Sequence, residues 1–283
     1  MKVIYHEAYN DPSAGTPGLQ RKAGLIYQQA LEEGLIRPDD VIEPGRASEE
    51  DLALVHTSAY IREVMRTKPQ ELVERALLEA QGSILTVRLG MEGGIAMNLG
   101  GGHHSAWSDQ GRDCCLFNDP AVAIRIAKQE GRARRVLVVD GSARHGSGTE
   151  SLLKDDPEVF TYSIHGASSG HYPSTASLNR NLSGAEDLTY MKTLAFDLDA
   201  ILREWGIPDL VCFIAGADPY RKEPEGVLKL SVGGLESRDR LVAHWSRGRG
   251  IPLAVFAGSG LSDRAVTIHV NTLRALKEVD SLP

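Results

Sequence analysis

The sequence lacks the features that mark several large classes of protein. It contains no run of about eighteen apolar residues, so we expect no membrane-spanning helix. The N-terminal residues 1–6 (MKVIYH) lack the apolar core of a signal peptide. Cysteine is scarce: the three at positions 114, 115 and 212 cannot form a disulfide framework. We therefore expect a reducing, cytoplasmic setting.

An excess of positive charge is also missing. Lys and Arg total 31 against 38 Asp and Glu, which gives a net charge of −7. A general nucleic-acid binder carries the opposite balance, so we expect a small-molecule substrate or ligand and neither nucleic acid nor membrane as partner. The 283 residues, 42% of them hydrophobic, suffice for a well-buried core. The oligomeric state is left open.

The pattern of apolar residues changes near position 90. Before it the chain is mostly helical: Ser48 to Asp51 form a capping-box pattern, and 70–91 has helical apolar spacing. After it, short apolar runs predict strands at 95–99, 136–139, 159–164, 210–215 and 253–257, separated by predicted helices at 119–130, 186–205, 235–249 and 264–278. Such alternation predicts an α/β fold with a parallel sheet covered by helices on both faces.

Polar residues follow each of these predicted strands. The strand ends lead in turn to His103 and His104, to the segment 140–145, to His165, to Asp218, and to Ser259 with Gly260. In open α/β sheets ligands bind at the carboxyl ends of strands, so these five loops should converge on one site. Each of these residues, taken alone, could have a purely structural role. Their convergence predicts a single domain over residues 1–283.

Several motifs are distinctive. They are GGGHHS at 100–105 leading to CLFND at 115–119, VVD at 138–140 leading to HGSGT at 145–149, and AGADP at 215–219, with VHTSAY at 55–60 and Ile268-His269 as further matches. Together, in this order, they resemble the histone deacetylase family over nearly the whole chain. The bacterial acetoin-utilisation and acetylpolyamine deacetylase branch is the most similar.

The resemblance implies an arginase/deacetylase fold with a parallel sheet of about eight strands. It also implies hydrolysis of acetyl-lysine or similar amides by a zinc-bound water, with paired histidines as general base and acid. The matching residues are His103 and His104, and Asp140 would be the carboxylate that orients His103. In the family a tyrosine donates a hydrogen bond to the oxyanion.

The residues at the family's metal positions depart from its pattern. Aligned on Asp140, the chain has Ser142 in place of the ligand aspartate and Arg144 in place of the ligand histidine, so only Asp218 remains. A guanidinium is always cationic and offers no lone pair, and a serine hydroxyl is a poor zinc ligand. We therefore expect no zinc and no other cofactor. The tyrosine position is also altered, because Gly260 or Leu261 occupies it.

The altered site leaves two roles open for Arg144. It can form an ion-pair network with Asp140 and Asp218, or it can bind a substrate carboxylate or oxyanion bidentately. Ser142 is a less favoured candidate nucleophile. By family position or loop position, the remaining predicted substrate-binding residues are Asp218, His165, His171, Tyr172 and Phe117.

Three functional hypotheses follow. The first is a metal-independent acid/base enzyme that acts on a small amine, amide or carboxylate through His103, His104 and Asp140, with Arg144 as anchor. The second is an inactive pseudo-deacetylase that binds a ligand or partner. The third is a zinc-dependent deacetylase in which His145 or His165 substitutes for the lost ligands.

Overall fold

The sheet at the centre of the protein is parallel throughout. A computed structural model describes residues 1–10, 20–112, 114–167, 176–224 and 226–282. Within these residues the sheet has eight strands: β1 (Lys2–Ile4), β2 (Val41–Ile42), β3 (Ile95–Asn98), β4 (Val136–Asp140), β5 (Val159–His165), β6 (Ser177–Asn181), β7 (Leu210–Ile214) and β8 (Leu253–Phe256). Their order is β2-β1-β3-β8-β7-β4-β5-β6, and every neighbouring pair is parallel.

Helices cover both faces of this sheet. They are α1 (Lys22–Glu32), α2 (Glu49–Leu52), α3 (Ser58–Thr67), α4 (Gln70–Gly93), α5 (Asp119–Gln129), α6 (Ser147–Leu153), α7 (Asp187–Trp205), α8 (Val232–Arg247) and α9 (Ala265–Asp280). Successive residues of a strand point to opposite faces. In β7, accordingly, Val211 and Phe213 join one buried cluster and Cys212 and Ile214 join the other. Among the described helices, none is both long and apolar enough to cross a membrane.

The α/β class and the parallel sheet of about eight strands with helices on both faces are confirmed. All five apolar runs are strands, and each differs from its predicted range by one residue at its end. The capping box at Ser48 is present, although the helix it begins is only Glu49–Leu52. The apolar runs did not reveal β2 and β6, because β2 has two residues and β6 (SLNRN) is a polar edge strand.

The strand order brings several strand ends together at one place. From β3 the chain winds outward through β4 and β5 to β6, and it then returns to place β7 and β8 between β4 and β3. The direction of winding therefore reverses between the neighbouring strands β4 and β7. The last residues of four neighbouring strands pair in one row across this region: Asn98 with Phe256, Phe256 with Ile214, and Ile214 with Asp140. Ligands of open α/β sheets bind where the strand order reverses. The loops that follow these four strands therefore share one crevice.

Candidate active site

A cavity of about 410 Å³ lies at these strand ends. It is lined by the five predicted residues His103, His104, Ser142, Arg144 and Asp218, so the structure brings most of the predicted site together. Asp140 lies beneath it, in contact with His104. His171 and Tyr172, which were predicted to bind substrate, lie outside the described residues.

The loop that carries the two histidines is fixed by Asp119, the first residue of α5. Its carboxylate accepts hydrogen bonds from Gly102 N at 2.9 Å, from His103 N at 2.8 Å and from the Ser83 hydroxyl at 2.5 Å. Gly102 has a φ of 81°, and a Cβ there would lie 2.9 Å from Gly258 Cα. The loop therefore needs glycine at 102, both for its left-handed backbone and for its close approach to the loop after β8.

His104 and Asp140 form a buried pair. His104 Nδ1 lies 2.6 Å from Asp140 Oδ2, and Asp140 Oδ1 accepts a hydrogen bond from Ser142 N at 3.0 Å. Burial alone would raise the pKa of Asp140, but the charge and hydrogen bond of His104 outweigh it and lower this pKa. Burial would lower the pKa of His104, and Asp140 likewise reverses this effect, so the pKa of His104 is raised.

His103 has a different partner from the one predicted. The expectation that Asp140 orients His103 is wrong, because Asp140 contacts the next histidine. His103 instead turns toward α4, where its Nε2 lies 2.7 Å from Glu79 Oε2. Arg75, one helical turn earlier, lies 3.4 Å from the same oxygen. Burial raises the pKa of Glu79, but Arg75 and His103 lower it to about 2.

Ser142, Arg144 and Asp218 occupy the rim and wall of the cavity on the β4 and β7 side. Asp218 Oδ2 accepts a hydrogen bond from Ala143 N at 3.1 Å. Its other oxygen is buried without a hydrogen-bond partner among the described residues, and burial raises the pKa of Asp218 to about 6. Arg144 is half-buried. The two predicted roles of Arg144, an ion-pair network with Asp140 and Asp218 or the binding of a substrate group, both stay predictions.

Two predicted substrate-binding residues are placed elsewhere. Phe117 is only 1% exposed and packs against His56 and Tyr60 in the core, because its side chain points away from the cavity. His165 is also buried, stacked on His145 with ring centroids 4.8 Å apart. His145 Nε2 in turn lies 3.1 Å from Glu150 Oε2. Both histidines thus pack on the β5 side of β4, with burial lowering the pKa of His165 to about 4.

Several charged residues of the cavity were not singled out in the sequence. Lys22, at the start of α1, lines it and donates a hydrogen bond from Nζ to Gly258 O at 2.9 Å. Burial lowers the pKa of this lysine. Arg75 and Glu79 line the cavity from α4. A charged i,i+4 pair on the buried face of a long amphipathic helix was the signal available for them. Glu223 also lines the cavity, and its buried carboxylate accepts a hydrogen bond from Ser262 N at 3.0 Å.

A buried arginine ties the loops below the cavity together. Arg238 of α8 is fully buried, and its Nη1 donates to Gly141 O at 2.9 Å and to Gly216 O at 2.8 Å. Its Nε donates to Asp239 Oδ1 at 2.8 Å. These two carbonyls belong to the loops after β4 and β7. One guanidinium therefore sets the spacing between the segments that carry Asp140 and Asp218.

Comparison with solved structures identifies the class of fold. An HDAC homolog in complex with SAHA superposes with a TM-score of 0.85 at 21% identity, covering 100% of this chain and 84% of that one. An HDAC homolog from Aquifex aeolicus superposes with a TM-score of 0.83 at 21% identity, with the same coverage. The parallel sheet with helices on both faces is thus the deacetylase-type α/β fold.

Sequence comparison assigns the chain to a family. The histone deacetylase domain matches residues 17–275. An uncharacterized protein of Picosynechococcus is 34% identical over 279 residues, which cover 91% of each chain. Histone deacetylase 2 of Arabidopsis thaliana is 27% identical over 306 residues, 98% of this chain and 78% of that protein. Acetoin utilization protein AcuC of Bacillus subtilis is 28% identical over 265 residues, 80% of this chain and 67% of that protein. The chain belongs to the histone deacetylase family.

Proposed function

We propose that this chain is an acid/base enzyme of the histone deacetylase family that works without zinc at the family's ligand positions. Its substrate would be a small amine, amide or carboxylate-bearing molecule. The observation that carries the proposal is the buried pair of His104 and Asp140, which lies at a cavity of about 410 Å³. A module that only binds a ligand does not need a histidine held in one tautomer by a carboxylate.

The donors at the family's metal positions do not fit zinc. They are the hydroxyl of Ser142, the guanidinium of Arg144 and the carboxylate of Asp218. Only the unpartnered oxygen of Asp218 is a good ligand, whereas catalytic zinc takes three protein ligands of N, O or S type. The permanent charge of Arg144 in the same wall would repel a cation. No step of the proposed chemistry passes through a metal at this place.

Proton transfer falls to His104 and Asp218. Because His104 Nδ1 faces Asp140, Nε2 is the ring nitrogen available to a substrate. The charge and hydrogen bond of Asp140 raise the pKa of His104, which favours the protonated form that can act as an acid. Asp218 has a pKa of about 6 and accepts a proton above that pH. Two titratable groups with shifted pKa values in one cavity are typical of a catalytic site.

Arg144 supplies the anchoring group. It lines the same cavity as Ser142, Asp218 and the two histidines. A guanidinium offers two parallel N–H donors that match a carboxylate or an oxyanion. This geometry favours a substrate that carries negative charge, or that develops it during the reaction.

A pseudo-deacetylase is the second candidate. The observation that favours it is the loop after β8, in which Gly258, Ser259, Gly260 and Leu261 line the cavity where the family resemblance implies the oxyanion tyrosine. The third hypothesis, zinc held by His145 or His165, has less support. Those histidines stack on each other on the β5 side of β4, and His145 is engaged with Glu150.

The deciding experiment is a turnover screen against N-acetylated amines, amino acids and small carboxylates. The His104→Ala variant should lose at least about 100-fold in kcat, since general acid/base catalysis contributes about 10²–10⁴-fold. His244→Ala, on the exposed face of α8, is the matched control and should retain full activity. Equal turnover by His104→Ala would refute the enzyme proposal. Zinc content that falls in Asp218→Asn would refute the absence of zinc at the family positions.

A further inference from the structure

A second group of potential ligands lies in the same cavity. One ring nitrogen of His103 and the Sγ atoms of Cys114 and Cys115 lie within 4.8 Å of one another. All three residues line the cavity, and all three cysteines of the chain are free thiols. The positions of Ser142, Arg144 and Asp218 contribute nothing to this group. It is therefore a potential metal site that is separate from the family's metal positions.

We propose that His103, Cys114 and Cys115 form a zinc site whose fourth position opens into the cavity. Two thiolates and one imidazole are a donor set that zinc uses in open, four-coordinate sites. Zn–S bonds of about 2.3 Å and Zn–N bonds of about 2.0 Å place tetrahedral ligand atoms roughly 3.5–3.8 Å apart. Closing the observed spread of 4.8 Å requires side-chain movement of about 1 Å. Cys114 is exposed and has room for that movement.

The environment of His103 orients it as a metal ligand. Its Nε2 is held by Glu79 at 2.7 Å, which leaves Nδ1 as the ring nitrogen for a metal. Metal-binding histidines commonly donate their other N–H to a carboxylate, which fixes the ring and raises its basicity. Glu79 is in turn held by Arg75 from the preceding turn of α4. The ligand and its support are thus built from two separated segments of the chain.

The charge balance also differs between the two places. Two thiolates neutralise a zinc ion, so the complex adds no net charge to a partly buried wall. At the family's positions the one carboxylate, that of Asp218, shares the cavity wall with the fixed positive charge of Arg144. Zinc therefore favours the histidine and cysteines over the family's own positions.

Metal binding at His103, Cys114 and Cys115 can be measured without turnover, so it can be tested independently of the proposed function. Zinc would be absent from the family's positions but present across the cavity. His103 would then be a ligand, and His104 with Asp140 would remain for proton transfer.

Cobalt is the probe for the experiment, because thiolate ligation gives Co²⁺ an intense charge-transfer absorption and tetrahedral ligation strengthens its visible bands. The full-length chain, stripped of metal and kept reduced, is titrated with Co²⁺ alone. We expect one equivalent to bind with both spectral features, and Zn²⁺ to displace it. Cys114→Ser and Cys115→Ser should each weaken binding at least tenfold and diminish the thiolate absorption.

Matched variants separate this site from the family's positions. Cys212→Ser removes a thiol that lies within β7 and should leave the titration unchanged. Asp218→Asn should also leave it unchanged, whereas Glu79→Gln should weaken binding by about 10–100-fold. Absence of cobalt absorption in the reduced wild type would overturn the proposal. So would thiolate bands that survive in both Cys114→Ser and Cys115→Ser.

A measurement on the wild type covers the case in which a variant does not fold. Bound Zn²⁺ should slow alkylation of Cys114 and Cys115 at least tenfold, as read by peptide mass spectrometry. Equal alkylation with and without Zn²⁺ would contradict the proposal. If His104→Ala loses activity but still binds cobalt, the metal site forms independently of the acid/base group. If the wild type binds no cobalt but shows turnover that depends on His104, the zinc site is refuted and the proposed function stands.

Discussion

His104 Nδ1 lies 2.6 Å from Asp140 Oδ2, and this contact makes His104, not His103, the histidine oriented by the carboxylate after β4. The two neighbouring histidines therefore have different surroundings. His104 is fixed from the sheet, whereas His103 is fixed from α4 through Glu79. Two residues of the same type can thus serve different chemistry in one cavity.

The first prediction concerns Asp140. Asp140→Asn should keep the shape of the pair but favour the wrong tautomer of His104, because an amide can donate a hydrogen bond to Nδ1. We expect kcat to fall by about 10²–10⁴-fold on any substrate found in the screen. The exposed Asp155→Asn is the control. A kcat within about twofold of the wild type would show that Asp140 does not orient an acid/base group.

The second prediction concerns pH and stability at Asp218. Burial raises the pKa of this carboxyl to about 6, so the folded state holds its proton more tightly than the unfolded state. The free energy of unfolding should then decrease as the pH rises from about 4 to about 6, by roughly 3 kcal/mol. Asp218→Asn removes this loss and should raise the Tm at pH 7 but not at pH 4. Thermal unfolding of both proteins across this range checks it, and parallel pH profiles would disprove it.

The third prediction concerns Arg144. Arg144→Gln should raise KM about 10–100-fold for substrates that carry a carboxylate, because a charge-assisted bidentate contact contributes about 1.5–3 kcal/mol. Arg144→Lys should recover only part of this, since an ammonium lacks the planar pair of donors. Arg66→Gln, exposed on α3, is the matched control. An unchanged KM in Arg144→Gln would leave Arg144 without a role in binding.

The fourth prediction concerns the loop of the histidines. Asp119→Asn places an amide N–H₂ where the carboxylate accepts from Gly102 N and from the Ser83 hydroxyl. Gly102 N and the Ser83 hydroxyl would then face another hydrogen-bond donor and lose their acceptor. We expect this to lower the free energy of unfolding by about 1–3 kcal/mol. Chemical denaturation measures this change. Activity should fall as well, because the lost acceptor for Gly102 N disturbs the loop that carries both histidines. Wild-type stability would mean that Asp119 does not support the loop.

Most of the fold could be predicted from apolar patterns. Buried parallel strands such as β7 (LVCFI) are continuous apolar runs, and helices between them have helical spacing. The apolar pattern does not predict β6, because this strand lies at the edge of the sheet and is polar. It does not predict β2 either, because that strand has only two residues.

The sequence predicted which residues lie at the candidate site, but it did not predict which of them contact each other. Strand ends located His103, His104, Ser142, Arg144 and Asp218 at one cavity. Which histidine meets Asp140 depends on the twist of a loop with left-handed glycines, and no local pattern records that twist. Glu79 comes from a helix before β3, and its approach to His103 depends on how α4 rotates on the sheet. Side-chain direction and long-range packing are what the sequence alone did not supply.

The position of Arg238 bears on how this site can change its chemistry. Its guanidinium bonds to backbone carbonyls, those of Gly141 and Gly216, and so holds the two loops without using their side chains. Residues 142, 144 and 218 can then be exchanged while the backbone that presents them keeps its place. The cavity therefore combines a fixed backbone with exchangeable side chains. Substitutions at these positions can change its reactivity without changing the fold.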